Sequence, residues 1–297
     1  MNTLRKQAIL IMCHEDFYIL EKTLELLDNE NIDFYIHVDL KVKYFDHYKI
    51  SQIPKKSHVY FTKRVNVIWG SYSQIETELL LLKTAIKNKD YQYYHLISGI
   101  DLPIKTSDEL VNYFNNNYPT EFIGFKNFNY IEPYLINRVK YFHFITNNFK
   151  NNYNEWNEHN KYIELQKNLE INRLNHKNMI IRKGANWFSI TDNLAKYVIS
   201  MEETIEDIFS YGLCADELFL QSIVYNSQFL NNVCTKYNNE HENCKRLIDW
   251  DRGQPYTFTK DDYNLLMSSN AMFARKFSTS IDKDIIDMIY NHIKNGT

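Results

Sequence analysis

His95–Thr106, HLISGIDLPIKT, carries an apolar strand-like run into Ser98, Gly99, Asp101 and Pro103. A β-type run that halts at a carboxylate set between a glycine and a proline needs a reason. Just beyond it, Thr106 and Glu109 have capping-box spacing, so "TSDELVNYF" opens a helix and Asp101 falls in the turn between strand and helix. In an open α/β sheet that turn lies at the carboxyl edge of the strands, where ligands gather. Asp and Pro are also ordinary turn residues, so spacing alone leaves Asp101 balanced between a ligand contact and a turn former.

The same alternation of strand-like and helical patterns fills the first half of the chain and predicts an α/β fold. "AILIMC" reads as a first strand, followed by Phe17, Leu20, Leu24 and Leu27 at helical spacing. "FYIHVD" reads as a second strand, "HVYF" and "VNVIWG" as short ones, and "SYSQIETELLLLKTAIKNK" as a long helix that Ser71 or Ser73 caps. Residues 146–178 are Asn-rich and polar, which fits a loop, a lid or a helical insertion. Order returns with a strand in "MIIRKGANWFSIT", a helix from Asp192, a helix over "ADELFLQSIVYNS", a strand at "RLIDW" and a last helix over "KDIIDMIYNHIKN". No internal repeat is visible, so one elaborated domain is expected.

Composition narrows the function. With 34 basic and 37 acidic residues, the net charge of −3 gives no broad basic footprint for nucleic acid. Any anionic ligand must be met by a few local cations. The apolar start is broken by His14, Glu15 and Asp16, which fits a core strand better than a signal peptide, and no run reaches the ~20 apolar residues of a membrane span. Cys13, Cys214, Cys234 and Cys244 lack metal-site spacing and read as free thiols of a reducing compartment.

Four stretches carry residues suited to chemistry. Asp216 and Glu217 open a helical pattern, where carboxylates serve either as a general base or simply as first-turn stabilisers. Arg246 and Arg252 flank Trp250, and Arg275 with Lys276 lies between Phe273 and Phe277. Cations framed by aromatics suit a diphosphate, through bidentate hydrogen bonds and a mobile ammonium, although they also suit plain packing with charged heads in water. "DWD" (249–251) and "DKD" (282–284) match the Asp-x-Asp of metal-dependent nucleotide-sugar enzymes, a weak signal in a chain so rich in acids. No P-loop, GxGxxG or GxSxG motif occurs.

Taken in order, "HVD", "VIWGSYSQIETELLLLKTA", "HLISGIDLPIKT", "KGANWFSIT", "DELFLQSIVYNS", "RLIDW" and "FARKF" resemble the core 2 and I-branching β-1,6-N-acetylglucosaminyltransferases, a family shared with the peptide O-xylosyltransferases. The resemblance covers roughly residues 7 to 280. It implies a GT-A type fold, a mixed sheet flanked by helices, in one catalytic domain over 1–297. Residues 1–125 would form its nucleotide-binding half, and 126–297 its acceptor and diphosphate half with the polar insertion.

It further implies inverting transfer from a UDP-sugar to a saccharide hydroxyl, with no metal and no other cofactor. Glu217 matches the catalytic base. Arg246, Arg275 and Lys276 match the diphosphate ligands, Asp39 the uracil segment and Trp69 a motif near the sugar. Asp101, Trp187 and Asp216 fall on the acceptor side. The anchor, stem and paired cysteines of the animal enzymes find no counterpart in the sequence. That suggests a cytoplasmic bacterial-type member acting in surface polysaccharide synthesis on an oligosaccharide or lipid-linked acceptor, with peripheral contact at the inner membrane face. The donor stays open between UDP-GlcNAc and another UDP-sugar such as UDP-xylose. A glycoside hydrolase using Asp101 and Glu217, and a non-catalytic glycan or nucleotide-sugar binding module, remain as rivals.

Overall fold

The computed structural model describes residues 5–295. Its strands are β1 (Gln7–Cys13), β2 (Ile32–Val38), β3 (Val59–Phe61), β4 (Tyr93–Ser98), β5 (Leu102–Pro103), β6 (Phe122–Ile123), β7 (Phe188–Thr191), β8 (Arg246–Ile248) and β9 (Phe273–Arg275). Six of them form a mixed sheet in the order β3-β2-β1-β4-β7-β6, in which β3, β2, β1 and β4 run parallel and β7 runs antiparallel to both β4 and β6. The remaining three form a small sheet, β5-β9-β8.

Both faces of β1 are buried, as expected of a central parallel strand. Ala8 and Leu10 pack on one side with the helix Ser73–Asn88, while Ile9, Ile11 and Cys13 pack on the other with the helices Phe17–Leu26 and Ser107–Asn116. A third apolar cluster lies under the small sheet, where Ile285, Ile286 and Ile289 of the last helix, Lys283–Asn295, meet Leu102, Phe258 and Ala274. The chain moves outward from β1 through β2 to β3 and then returns to β4 on the other side of β1. This reversal opens a crevice at the carboxyl ends of β1 and β4.

The halt in HLISGIDLPIKT now has its physical cause. A Cβ on Gly99 would lie 2.5 Å from the Cβ of Cys13, so only glycine lets the end of β4 approach the end of β1. After Asp101 the chain leaves the large sheet, and Leu102 and Pro103 pair antiparallel with Ala274 and Phe273 of β9. Pro103 is tolerated because β5 is an edge strand. The expected capping box then starts the helix: Glu109 N donates to Thr106 Oγ1 (3.2 Å) and Thr106 N donates to Glu109 Oε2 (2.8 Å).

Three local expectations are corrected. "VNVIWG" forms no strand: Val65 N donates to His37 Nε2 (2.9 Å), Val65 O accepts from Leu40 N (2.9 Å), and the segment runs on as a loop. Asp216 and Glu217 sit in a short 3₁₀ turn, Ala215–Glu217, ahead of the helix Phe219–Tyr225 rather than in that helix's first turn. The strand in "MIIRKGANWFSIT" is confined to its last four residues. Within the polar insertion, Asn152 caps a 16-residue helix, Tyr153–Asn168, by accepting from the amides of Asn154 and Glu155.

Candidate active site

The carboxyl edge gathers most of the residues singled out from the sequence. Asp101 is buried, and its carboxylate accepts from Ser98 N (2.8 Å), Ser98 Oγ (2.7 Å) and Arg275 Nη1 (2.7 Å). The guanidinium of Arg275 also lies 4.6 Å from the centre of the Trp187 ring. Pairing of β5 with β9 is what sets Asp101 beside Arg275, so the buried carboxylate and the stacked indole together fix one guanidinium in place. Lys276 follows at once. Among the described residues no carboxylate lies within ion-pair distance of its ammonium, and burial, Arg275 and Lys150 together hold its pKa below the usual lysine value. Lys150 in turn stands 5.2 Å over the half-exposed Trp69 ring. Three cations therefore converge where the strands end.

In the 3₁₀ turn Ala215–Glu217, Glu217 Oε2 accepts from Arg138 Nη1 at 2.8 Å and lies 3.3 Å from Lys183 Nζ, with about 30% of the side chain exposed. Backbone bonds tie this turn into the crevice. Gly184 N donates to Glu217 O (3.0 Å), which links it to the Lys183–Trp187 segment, and Cys214 N donates to Gly70 O (2.7 Å), which links it to Trp69. Asp39 lies next along the edge, where its amide donates to Cys13 O (2.9 Å) and its carboxylate accepts from Lys41 N (2.8 Å). Arg64 secures that loop by donating to the carbonyls of Val38 (3.2 Å), Asp39 (2.6 Å) and Leu40 (3.1 Å).

Behind Glu217 lies a buried acidic group. Asp216 accepts from Gln74 Nε2 (3.0 Å) through Oδ2, but its Oδ1, both carboxylate oxygens of Glu78 and Asn186 Oδ1 have no hydrogen-bond partner among the described residues. Burial, then the nearby Glu217, push Asp216 up to about 7, and burial, then Asp216, push Glu78 well above the ordinary carboxylate value. Both groups are thus protonated in the fold at a pH where they are ionised in the unfolded chain. The sign follows: between about pH 4 and pH 7 the native state holds more protons, so stability falls as pH rises. Asp216→Asn is expected to flatten that slope and to stabilise the protein at pH 7.5 by on the order of 1 kcal/mol or more, as read from urea midpoints at pH 5 and 7.5.

A family model described as "Core-2/I-Branching enzyme" matches residues 8–268. The chain belongs to that family. Core-2/I-Branching members are glycosyltransferases, and the mixed sheet with helices on both faces is a GT-A-like arrangement. Among curated proteins the chain is similar to rat Xylosyltransferase 2 (23% identical over 295 residues, covering 92% of this chain). Human Xylosyltransferase 1 is 22% identical over 324 residues and covers 100% of this chain. A xylosyltransferase of Ciona intestinalis is 22% identical over 291 residues and covers 90%. The chain spans about a third of the length of these relatives: 32% of the rat and Ciona proteins and 31% of the human one.

For a Core-2/I-Branching chain, two placements depart from expectation. Arg246 does not line the crevice: it is 2% exposed, and its two Nη groups donate to Ser189 Oγ (3.0 Å) and to the carbonyls of Leu96 (2.9 Å), Phe188 (2.6 Å) and Cys244 (2.5 Å). Asp101 is likewise spent on protein partners. "DWD" is held in a surface turn, where Asp249 Oδ2 accepts from Arg252 Nε (2.6 Å), and no cluster of three His, Cys, Asp or Glu side chains arranged for a metal occurs among the described residues. No helix among the described residues is long and apolar enough to cross a membrane. Sequence reasoning missed Arg138, Lys183, Lys150 and Glu78. Lys183 stood inside the quoted "KGANWF" motif, whereas nothing local marks the other three.

Proposed function

We propose that the protein is an inverting, metal-independent glycosyltransferase that moves a sugar from a UDP-sugar to a hydroxyl of a saccharide acceptor. The observation that carries this reading is the grouping of Arg275, Lys276 and Lys150 at the strand ends, joined to the Glu217 turn through the Lys183–Trp187 segment, in which Gly184 N donates to Glu217 O and Trp187 stacks on Arg275. A group of neighbouring cations, of which Lys276 is held below its usual pKa by burial and then by Arg275 and Lys150, is stabilised by a polyanion, and a diphosphate supplies one. Asp39 at the end of β2 would take the nucleoside side, with Trp69 toward the sugar and Trp187 holding Arg275.

The steps follow from charge. Glu217 takes the proton of the acceptor hydroxyl while that oxygen bonds to the anomeric carbon. The bond to the diphosphate breaks on the opposite face, so an α-linked donor gives a β-linked product. The electron pair passes to the departing diphosphate oxygen, where fixed cations receive it without reorganisation. Asp101 serves by orienting Arg275. A hydrolase would need a second available carboxyl group, and Asp101, buried and held by three hydrogen bonds, does not offer one.

The donor is UDP-GlcNAc or a pentosyl counterpart such as UDP-xylose, and the likeness to proteins named xylosyltransferases supports the latter. The acceptor we assign is an oligosaccharide or lipid-linked saccharide of a surface polysaccharide, reached at the cytoplasmic face of the membrane.

The test is a thermal-shift screen with UDP, UDP-sugars, GDP and CMP in EDTA and in Mn²⁺. UDP at a hundredfold excess over Kd should add about 2.7 kcal/mol of stability in EDTA, and the best UDP-sugar names the donor. Dependence on Mn²⁺ would overturn metal independence, and no nucleotide effect would leave a binding module. Lys276→Ala should weaken UDP about tenfold by calorimetry, with a shallower salt dependence, since one charge-assisted contact to phosphate is lost.

A further inference from the structure

A cavity of about 1090 Å³ lies between the helix Ser107–Asn116, the segment 117–122, the loop 231–237 and the starts of β8 and β9, and neither Arg275, Lys276 nor Glu217 lines it. Met272 lines it and Arg275 closes the other end of β9, so the two sites are separated by the strand, roughly 10 Å at 3.3 Å per residue. A volume of that order accommodates two or three sugar rings.

Lys245 is the unusual member of its wall. Its backbone is left-handed (φ 62°), a conformation costly for a long side chain and retained only where surroundings impose it. The carbonyl of Lys245 accepts from Met272 N (3.0 Å), which locks the turn. The residue is 2% exposed, yet no carboxylate pairs with it among the described residues. Instead its ammonium donates to Tyr237 Oη (3.0 Å) and stands 4.3 Å from the Tyr237 ring centre and 5.2 Å from that of Tyr113.

The other charges on the wall are Lys105, Lys236, Asp108 and Glu109. The acids are already engaged: Asp108 accepts from Asn29 Nδ2 (2.7 Å) and Glu109 from Thr106 N and Oγ1 (2.8 Å each). Asn112, Asn231, Asn232 and Asn270 add amides suited to sugar hydroxyls. Among the described residues this buried ammonium meets a phenol oxygen and two aromatic rings rather than a carboxylate, so an anionic ligand reaching it would gain a charge-assisted hydrogen bond.

We propose that this cavity is a second ligand site, for an acidic saccharide whose carboxylate or phosphate reaches Lys245 while its rings lie against Tyr113 and Tyr237. The site is independent of the donor crevice and does not rest on the transfer reaction.

The test is calorimetric titration of the whole chain with a glucuronate-containing disaccharide, with glucose 1-phosphate, with inorganic phosphate and with neutral maltose, each with and without saturating UDP. At least one acidic sugar should bind, more tightly than maltose or phosphate, with the same Kd when UDP is present. Lys245→Met should weaken it at least about tenfold while leaving UDP affinity unchanged. If Lys245→Met fails to fold, Lys236→Ala and Tyr237→Phe should each weaken the acidic sugar by several-fold. Carboxylate and phosphate sources are distinguished by which sugar binds. Competition with UDP, phosphate binding as tightly as the sugar, unchanged affinity in the variants, or no acidic sugar bound at millimolar concentration would each overturn the proposal.

Discussion

Glu217→Gln is expected to lower kcat by about 10³ while leaving the affinity for UDP within twofold of the wild type. A saccharide hydroxyl is a weak nucleophile, and a positioned carboxylate that takes its proton in the transition state contributes 10²–10⁴ in rate. The amide keeps the size of the side chain and an oxygen for Arg138 and Lys183, so the turn that Gly184 and Cys214 secure should persist. What is lost is proton affinity. Arg138→Gln separates positioning from chemistry. It removes the shorter contact to Glu217 (2.8 Å) but keeps Lys183 (3.3 Å), and should raise the KM for acceptor with a smaller loss in kcat. Initial rates at saturating donor, with calorimetry for UDP, decide the matter. Turnover of Glu217→Gln within fivefold of the wild type would exclude Glu217 as the base. Loss of turnover in Asp216→Asn instead would move that role to its neighbour.

The fold was legible wherever physics is local. The run AILIMC, buried on both faces as β1, the capping box at Thr106 and Glu109, and the helix begun at Asp192, where Thr191 caps by accepting from Leu194 N, all follow from periodicity and capping chemistry. The Asp101 turn was visible too, but not its purpose. That depends on the pairing of Leu102 with Ala274, a contact between residues 172 positions apart that no pattern in either segment announces. The same holds for the site. Glu217 and the Arg275–Lys276 pair stand out in the sequence as a carboxylate opening a helical pattern and as cations framed by aromatics, with roles implied by the resemblance, whereas Arg138, Lys150 and Glu78 are marked only by their tertiary neighbours. Residue type also cannot tell an arginine that faces a ligand from one that faces carbonyls. Arg246 and Arg275 stand in similar aromatic surroundings in sequence, yet only Arg275 reaches the crevice.

That distinction makes Arg246→Met a stability experiment with a binding control. Arg246 joins three pieces of the chain: Leu96 of β4, Phe188 and Ser189 of β7, and Cys244 ahead of β8. Through Ser189 Oγ it also touches a buried chain in which His95 Nδ1 lies 2.8 Å from Ser189 Oγ and His95 Nε2 lies 3.0 Å from Gln7 Oε1. Burial, then Arg246, hold His95 well below its ordinary pKa, so the imidazole is neutral and the guanidinium is the one charge of the network. Methionine fills the space beside Phe273, whose ring centre is 4.8 Å from the guanidinium carbon, but leaves three carbonyls without their donors. An unsatisfied buried acceptor costs about 1–3 kcal/mol, partly offset here by removal of a desolvated charge, so the net loss should be about 3 kcal/mol. At roughly 2–4 °C per kcal/mol the Tm falls by roughly 6–12 °C. UDP affinity of the folded fraction should stay within threefold, because Arg275 and Lys276 are unaltered. A variant of wild-type stability that binds UDP tenfold or more weakly would return Arg246 to the diphosphate, and would mean that the donor-bound state swings this side chain out of the carbonyl cage.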